Sequence, residues 1–375
     1  MTSRCVAFVA NRGYALTSSR SGLIRRFLDA GWDVILVTAD DAESRSLCAS
    51  GARLEPVIFR RGGLAPVSDL RAFRRLLAIY CRWQPALIQH FHARPVIFGN
   101  VAARRVLGDS VRIVNTITGL GRTFAGGRLA ARLAGWGYAA GMRRADAGIF
   151  QNRDDYRLFL ERGWISDGRA WLIAGSGVDL ERFVPVDRSH RSDTAPVVVM
   201  LARLLRQKGI LEFATVAARI RERWPDAHFL LAGEEEPAHP DGLTAEWVKA
   251  QEHIEYLGRL ADVRPVLAEA DVFLFPSRYR EGLPRVVLEA AATGLPAVAF
   301  DAPGVREAVL DGETGCLVSE GDVDALTGRV TALLEDGVRR RAMGRAARRM
   351  VEESFDVHAI EDQYLSIYRD LGIPI

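Results

Sequence analysis

The stretch FLFPSRYREGLPRVVLEAAATGLP, residues 273–296, decides the fold. It opens on an apolar run, Val272 to Phe275, of the kind that forms a buried strand, ending at Pro276 and Ser277. A polar loop, RYREGL at 278–283, follows. Pro284 then fits the first turn of a helix, where a missing N–H costs nothing; residues 285–293 favour helix, and Gly294 with Pro296 stops it. A strand leading through a glycine to a helix N-terminus puts unpaired N–H groups and a positive dipole end at the carboxyl edge of a sheet. In an open α/β sheet that edge is where anionic and polar ligands bind.

Two carboxylates frame this turn, Glu281 before the helix and Glu289 within it, with seven residues between. The rise from Pro284 to Glu289 is about 7.5 Å at ~1.5 Å per residue. The pair can therefore take hydroxyls at two separate points of an extended ligand, and a sugar joined through a diphosphate to a ribose has that layout. The plainer alternative leaves Glu281 to complement the helix N-terminus and Glu289 as a solvated helix residue. The segment EGLPRVVLE resembles the E-x7-E signature of retaining GT-B glycosyltransferases of family 4 (group 1). The wider YREGLPRVVLEA is most similar to the capsular-polysaccharide and lipid-linked oligosaccharide branch, CapM-like and PglA-like. The resemblance extends over most of the chain and is strongest from about 197 to 318. It implies an α/β GT-B architecture, two Rossmann-like domains facing a central cleft. The expected division is an acceptor-binding domain at 1–185, a nucleotide-sugar domain at 196–357, and a last helix at 358–375 packing back on the first.

At 375 residues the chain is long for one core and predicts two domains of ordinary size. Its N-terminus lacks a long apolar stretch and a cleavage site, and no window approaches the roughly 20 apolar residues of a membrane span. Cys5, Cys48, Cys81 and Cys316 lie far apart, which argues against a zinc site or disulfide framework and fits a reducing cytoplasm. The net charge of +3 hides an asymmetry. Residues 1–180 carry 26 arginines and no lysine against 14 acidic residues, a net +12, and the remainder carries 24 basic and 33 acidic residues, a net −9. A basic half suggests an anionic partner: a membrane surface, a pyrophosphate-bearing lipid or nucleic acid. Of these, the expectation settles on the first two, with a cytoplasmic location peripheral to the inner membrane and no nucleic acid.

Along the chain, residues 6–10 read as a strand, 11–19 as a polar loop, 21–30 as a helix and 33–38 as the next strand, a βαβ start. No G-x-G-x-x-G follows the first strand, which disfavours a dinucleotide cofactor. The helix RAFRRLLAIYCRW at 71–83 is amphipathic and basic; it reads as a surface helix packed on its own sheet or as a contact with anionic lipid headgroups. His90 and His92 end a strand without a third ligand nearby and read as strand-end polar residues facing the cleft rather than as a metal pair. The polar stretch 185–196 reads as an interdomain linker. Arg203 and Lys208, after a strand and before a helix, are well placed for a diphosphate, arginine through a bidentate fork and lysine as a point charge; the alternative is two solvated loop charges. Asp322-Val323-Asp324 spells D-x-D but directly precedes a helix at 325–334 and reads as its cap.

The resemblance assigns roles. Arg203 and Lys208 would hold the diphosphate, Glu289 the ribose, and Glu281 with the main-chain N–H groups of Gly282, Leu283 and Arg285, around Pro284, the sugar. Arg259 and Leu260 would meet the nucleotide base. Glu281, Arg203 and Lys208 are the expected catalytic set, Arg20 and the loop of Thr118, Gly119 and Gly121 the first domain's contribution. The implied activity is retaining, metal-independent transfer of a hexose or N-acetylhexosamine from a UDP-sugar to a polyprenyl-diphosphate-linked saccharide, in capsule or O-antigen type polysaccharide biosynthesis. No cofactor is expected beyond the donor. Two alternatives stay open: a UDP-sugar epimerase of the same architecture, and a non-catalytic protein that binds sugar nucleotides or nucleic acid.

Overall fold

Seven short strands of the first half, most of them apolar, assemble into one parallel sheet: β1 Cys5–Val9, β2 Asp33–Thr38, β3 Arg53–Pro56, β4 Leu87–Phe91, β5 Arg112–Ile117, β6 Ala147–Phe150 and β7 Ala170–Leu172. Their spatial order is β3-β2-β1-β4-β5-β6-β7. The computed structural model describes residues 4–60, 65–121, 128–188, 195–237 and 239–375. It divides into two units, Met1–Ser176 with His358–Ile375, and Gly177–Val357.

The central strands β1 and β4 are buried from end to end because helices cover both faces, the usual condition of a parallel sheet. One face packs Phe8, Phe27 and Leu36 against Tyr364 and Tyr368, the other packs Ile35 and Ile113 against Leu76, Ile79 and Tyr80. The tyrosines come from the helix Val357–Asp370. Their hydroxyls are satisfied inside the sheet, Tyr368 donating to Gln89 Oε1 at 2.7 Å and Tyr364 meeting Thr116 Oγ1 at 3.3 Å.

Two expectations for this unit need correction. The helix read at 21–30 begins at Gly13 and runs to Asp29, so the polar residues 13–19 are helical rather than loop. Its start is held from 28 residues away: Asp41 Oδ2 accepts the Gly13 N–H at 2.9 Å. Thr17 and Ser18 turn their hydroxyls onto the carbonyls of Gly13 and Tyr14, which lets them sit inside a helix. His90 does not face outward at the strand end. It is fully buried, 2.9 Å from the Tyr80 hydroxyl and 3.1 Å from Asn115 Oδ1.

In the second unit β8 Val197–Leu201, β9 His228–Ala232, β10 Glu255–Gly258, β11 Val272–Phe275, β12 Ala297–Phe300 and β13 Gly315–Val318 form a parallel sheet in the order β10-β9-β8-β11-β12-β13. Counted from its own first strand this is 3-2-1-4-5-6, the doubly wound order, which reverses between β8 and β11. Val198, Phe213, Phe229, Leu274 and Val298 lie in its core. Residues 177–185, expected with the first domain, belong here: Val178 bridges to Asp356, and the Phe183 carbonyl accepts from Arg348 at 2.6 Å. Of the linker read at 185–196, residues 189–194 lie outside the described residues. Its start is fastened, since Arg188 donates to the carbonyls of Leu267, Ala270 and Thr293 at 2.7–2.8 Å.

Candidate functional site

The reversal point of the second sheet is where the predicted residues gather. After β8 the chain carries Arg203 in a loop fixed by backbone bonds, Leu204 N–H to the Glu234 carbonyl at 3.0 Å and Leu243 N–H to the Leu204 carbonyl at 2.8 Å. One tight turn, Arg206–Lys208, leads through Gly209 into the helix Ile210–Arg221. Gly209 has φ 86°, and a Cβ there would lie 2.0 Å from the Pro276 carbonyl, so only glycine permits this turn to press against the loop after β11. The Arg278 N–H donates to the Gln207 carbonyl at 2.9 Å and ties the two loops together.

This contact brings Lys208 onto Glu281, the two forming an ion pair. Tyr279 supplies a floor, with Lys208 Nζ 4.8 Å and Arg203 Cζ 5.6 Å from its ring centre. Arg203 Nη1 is 2.5 Å from Glu236 Oε2, and Arg259 Nη1 is 3.8 Å from Glu234 Oε2. Burial first, then the Arg203 guanidinium, pushes the Lys208 ammonium well below the ordinary lysine range, and Glu236 works against them. The paired Glu281 carboxylate acts in the same direction as Glu236, because it favours the charged ammonium.

Beyond the loop, the helix Arg285–Ala292 starts one residue later than the sequence reading allowed, with Pro284 as its extended N-cap rather than in its first turn. The carbonyls of Glu281 and Gly282 abut Gly304, where a Cβ would sit 2.9 and 2.5 Å from them, and Leu283 is buried beside this turn. Glu289 is not a solvated helix residue. It is buried, and Arg285 Nε donates to its Oε1 at 2.8 Å. Burial raises its pKa, opposed by Arg285 and then Arg182. Arg203, Lys208 and Glu281 therefore converge and Arg259 joins them through the Glu234 segment, while the charged neighbours of Glu289 are Arg285 and Arg182. Leu260 is half-buried next to Arg259.

The remaining candidates lie in the first unit. Arg20 is buried, its guanidinium carbon 4.9 Å from the Phe91 ring centre and 4.8 Å from that of Tyr364. Thr118 is half-buried, and Gly119 and Gly121 take left-handed conformations with φ 94° and 49°. Asp322 caps its helix, Oδ1 accepting the Ala325 N–H at 2.8 Å, and Asp324 pairs with Arg219 at 2.6 Å. Among the described residues no three His, Cys, Asp or Glu side chains gather in a form that could hold a metal ion. Sequence reasoning missed Tyr279 and Glu236. Tyr279 lay in plain view inside the quoted loop, and Glu236 ends an acidic triplet after β9 and Gly233.

Comparison with known proteins covers both halves. Residues 195–336 match the family model for glycosyl transferases group 1, and residues 5–152 that for glycosyl transferase 4-like domains. The chain is 25% identical over 377 residues to the N,N'-diacetylbacillosaminyl-diphospho-undecaprenol alpha-1,3-N-acetylgalactosaminyltransferase of Campylobacter jejuni, covering 97% of this chain and 98% of that one. It is 33% identical over 209 residues to a GDP-mannose-dependent monoacylated alpha-(1-6)-phosphatidylinositol monomannoside mannosyltransferase of Corynebacterium glutamicum, covering 51% and 54% of the two chains. Two solved structures share the fold across 98% of this chain. They are Anabaena HepE in complex with UDP-glucose, with a TM-score of 0.80 at 18% identity and 99% of that chain covered, and the sucrose-phosphate synthase of Thermosynechococcus elongatus, with 0.79 at 22% and 98% covered. With two parallel sheets of this order, and a matching family model on each half, the chain belongs to the GT-B glycosyltransferases of group 1.

Proposed function

We propose that the protein is a retaining, metal-independent family 4 enzyme that moves a hexose or N-acetylhexosamine from a UDP-sugar to a polyprenyl-diphosphate-linked saccharide, as capsule and O-antigen assembly require. The observation that carries this is the convergence of Arg203, Lys208 and Glu281 over Tyr279 at the reversal point of the second sheet. Two cations there would take the charge that builds on the departing diphosphate as the bond to the sugar's anomeric carbon breaks. The departing phosphate oxygen would accept the proton of the acceptor hydroxyl as the new glycosidic bond forms on the same face. Glu281 and the turn at Gly282–Arg285 would orient the sugar, and Glu289 the ribose. The Campylobacter jejuni relative, named for a diphospho-undecaprenol acceptor, favours a lipid-linked acceptor, and HepE with UDP-glucose favours a uridine donor. Arg20 and the Thr118–Gly121 loop are the first unit's candidates for meeting the acceptor.

Attachment to an anionic membrane surface is part of the same reading. On the helix Pro66–Trp83 the exposed residues Val67, Leu70, Arg71 and Arg74 fall at i, i+3, i+4 and i+7, one stripe that begins apolar and continues basic. Arg94 ties the Arg60 carbonyl to this helix by also donating to Asp69, and Ile58, two residues before Arg60, is exposed. Among the described residues no helix is long and apolar enough to cross a membrane, so contact would be through such a face.

The test is transfer with the purified protein, using UDP-hexoses, UDP-N-acetylhexosamines and GDP-mannose, each with and without a polyprenyl-diphosphate saccharide. Product is expected only with a UDP-sugar and the lipid-linked acceptor, with the donor's anomeric configuration kept and no loss in EDTA. Transfer from GDP-mannose alone, or an epimerised sugar nucleotide without acceptor, overturns the assignment.

A further inference from the structure

Every cation expected to face the donor already has a carboxylate. Lys208 has Glu281, Arg203 has Glu236, Arg285 has Glu289 and Arg259 has Glu234. Two of these acids, Glu281 and Glu289, belong to the assigned signature, and Glu234 faces the arginine expected at the base. Glu236 does neither: it lies outside the E-x7-E segment, 33 residues from its partner, and no sugar or ribose role falls to it. Its position is built rather than incidental. Its carbonyl accepts the His239 N–H at 2.8 Å, the Gly242 N–H returns to the His239 carbonyl at 2.9 Å, and the Arg206 N–H is bonded to the Asp241 carbonyl at 2.9 Å. The loop that carries Glu236 is thus sewn to the loop that carries Arg203 and Lys208. The preceding acids of the triplet are occupied elsewhere, Glu235 on the N–H of Ala245 and Glu234 beside Arg259. Glu236 is 9% exposed, and its charge is felt by Lys208 as well as by Arg203.

We infer that the Glu236 carboxylate is a standing competitor for the diphosphate, occupying Arg203 in the empty site and weakening the hold on the nucleoside diphosphate that transfer leaves behind. This rests on the donor-site reading above. An anion held against one of two phosphate-binding cations has two effects. It keeps the guanidinium aimed at the site when no ligand is there, and it repels the incoming and outgoing diphosphate alike. The repulsion costs affinity and hastens departure of the product, so removing it tightens binding and slows a turnover limited by release.

The measurement is calorimetric titration of UDP, with GDP as comparison, into the wild-type chain, Glu236→Gln and Glu236→Asp. The glutamine keeps the shape and a carbonyl for Arg203 without the charge, and the aspartate keeps the charge. Glu236→Gln should bind UDP about tenfold more tightly, with a steeper loss of affinity in added salt, and Glu236→Asp should stay near wild type. In steady-state transfer the glutamine variant should lower KM and kcat together. Equal or weaker UDP binding by Glu236→Gln overturns the inference, as does an aspartate variant that tightens equally, since charge would then not be the cause. If the glutamine variant does not fold, Glu236→Ala removes the same charge and should also bind UDP more tightly than wild type, and equal or weaker binding overturns the idea. A wild-type chain that binds neither nucleotide sinks the donor-site reading itself, a separate result.

Discussion

The two sheets begin with the same strand order, yet their reversal points are finished in opposite ways. In the first unit the helix after β1 receives a carboxylate from its own chain: Asp41 takes the Gly13 N–H and, through its other oxygen, the Ser44 N–H at 2.8 Å. The first arginine of that helix, Arg20, is folded away between two aromatic rings. In the second unit the helix after β8 has no side-chain cap, and the segment before it offers Arg203 and Lys208, each paired to an acid from another loop. A shared scaffold does not make a shared site. A helix end closed by a covalently tethered carboxylate is no longer a place for a phosphate, whereas on the function proposed above the two paired cations remain one.

The largest test of that contrast is Lys208→Ala, which should lower kcat/KM for transfer by about 1,000-fold, the scale of losing one preorganised charge at a leaving group. A loss of less than tenfold would remove the second reversal point's claim. Next in size is an acid effect confined to the first unit. Burial pulls the His90 pKa from 6.5 down to about 4, against the hydrogen bond to Asn115. Below pH 6.5 the unfolded chain takes a proton that the folded unit refuses, so stability is lost as pH falls from 6.5 to 4. The loss totals about 3 kcal/mol at 1.36 kcal/mol per pH unit. Protection against hydrogen exchange should weaken in peptides of β1, β4 and β5 over that range and hold in β8 and β11; His90→Gln should flatten the response.

A milder alkaline effect belongs to the other unit. Lys208 must be charged to hold a diphosphate and its pKa is depressed, so UDP affinity should fall by about tenfold per pH unit once the pH passes a point below the ordinary lysine value of ~10.4. Titrations that stay level up to that value would contradict it. Smallest is Asp41→Ala, expected to cost about 1–2 kcal/mol in urea unfolding while leaving UDP affinity unchanged, because the helices it uncaps belong to the first unit. A change in UDP binding would mean that the two reversal points are not independent.

What the sequence made legible follows from how local each cause is. The strand Val272–Phe275, the helix after it and the Asp322 cap depend on residues within a few positions, and each lies within one residue of where the pattern put it. The start of the first helix did not, because its cap arrives from Asp41 and a run of serines and threonines looks like loop until that bond is known. His90 was misread for the same reason: its partners Tyr80 and Asn115 stand on other elements. At the candidate site the charged residues were visible as types and spacings. Their pairing with one another was not, since Glu236 and Glu281 reach their cations only after the loops following β8, β9 and β11 have come together.

The closing helix has a bearing on how the protein is made. Residues 177–357 are one continuous segment and can reach their native packing while synthesis is still under way. The first unit cannot, for the faces of Phe8, Phe27 and Gln89 wait for Tyr364 and Tyr368. Although it leaves the ribosome first, the amino-terminal half must finish last, holding an open apolar surface in the nascent chain until the final turn of helix emerges to close it.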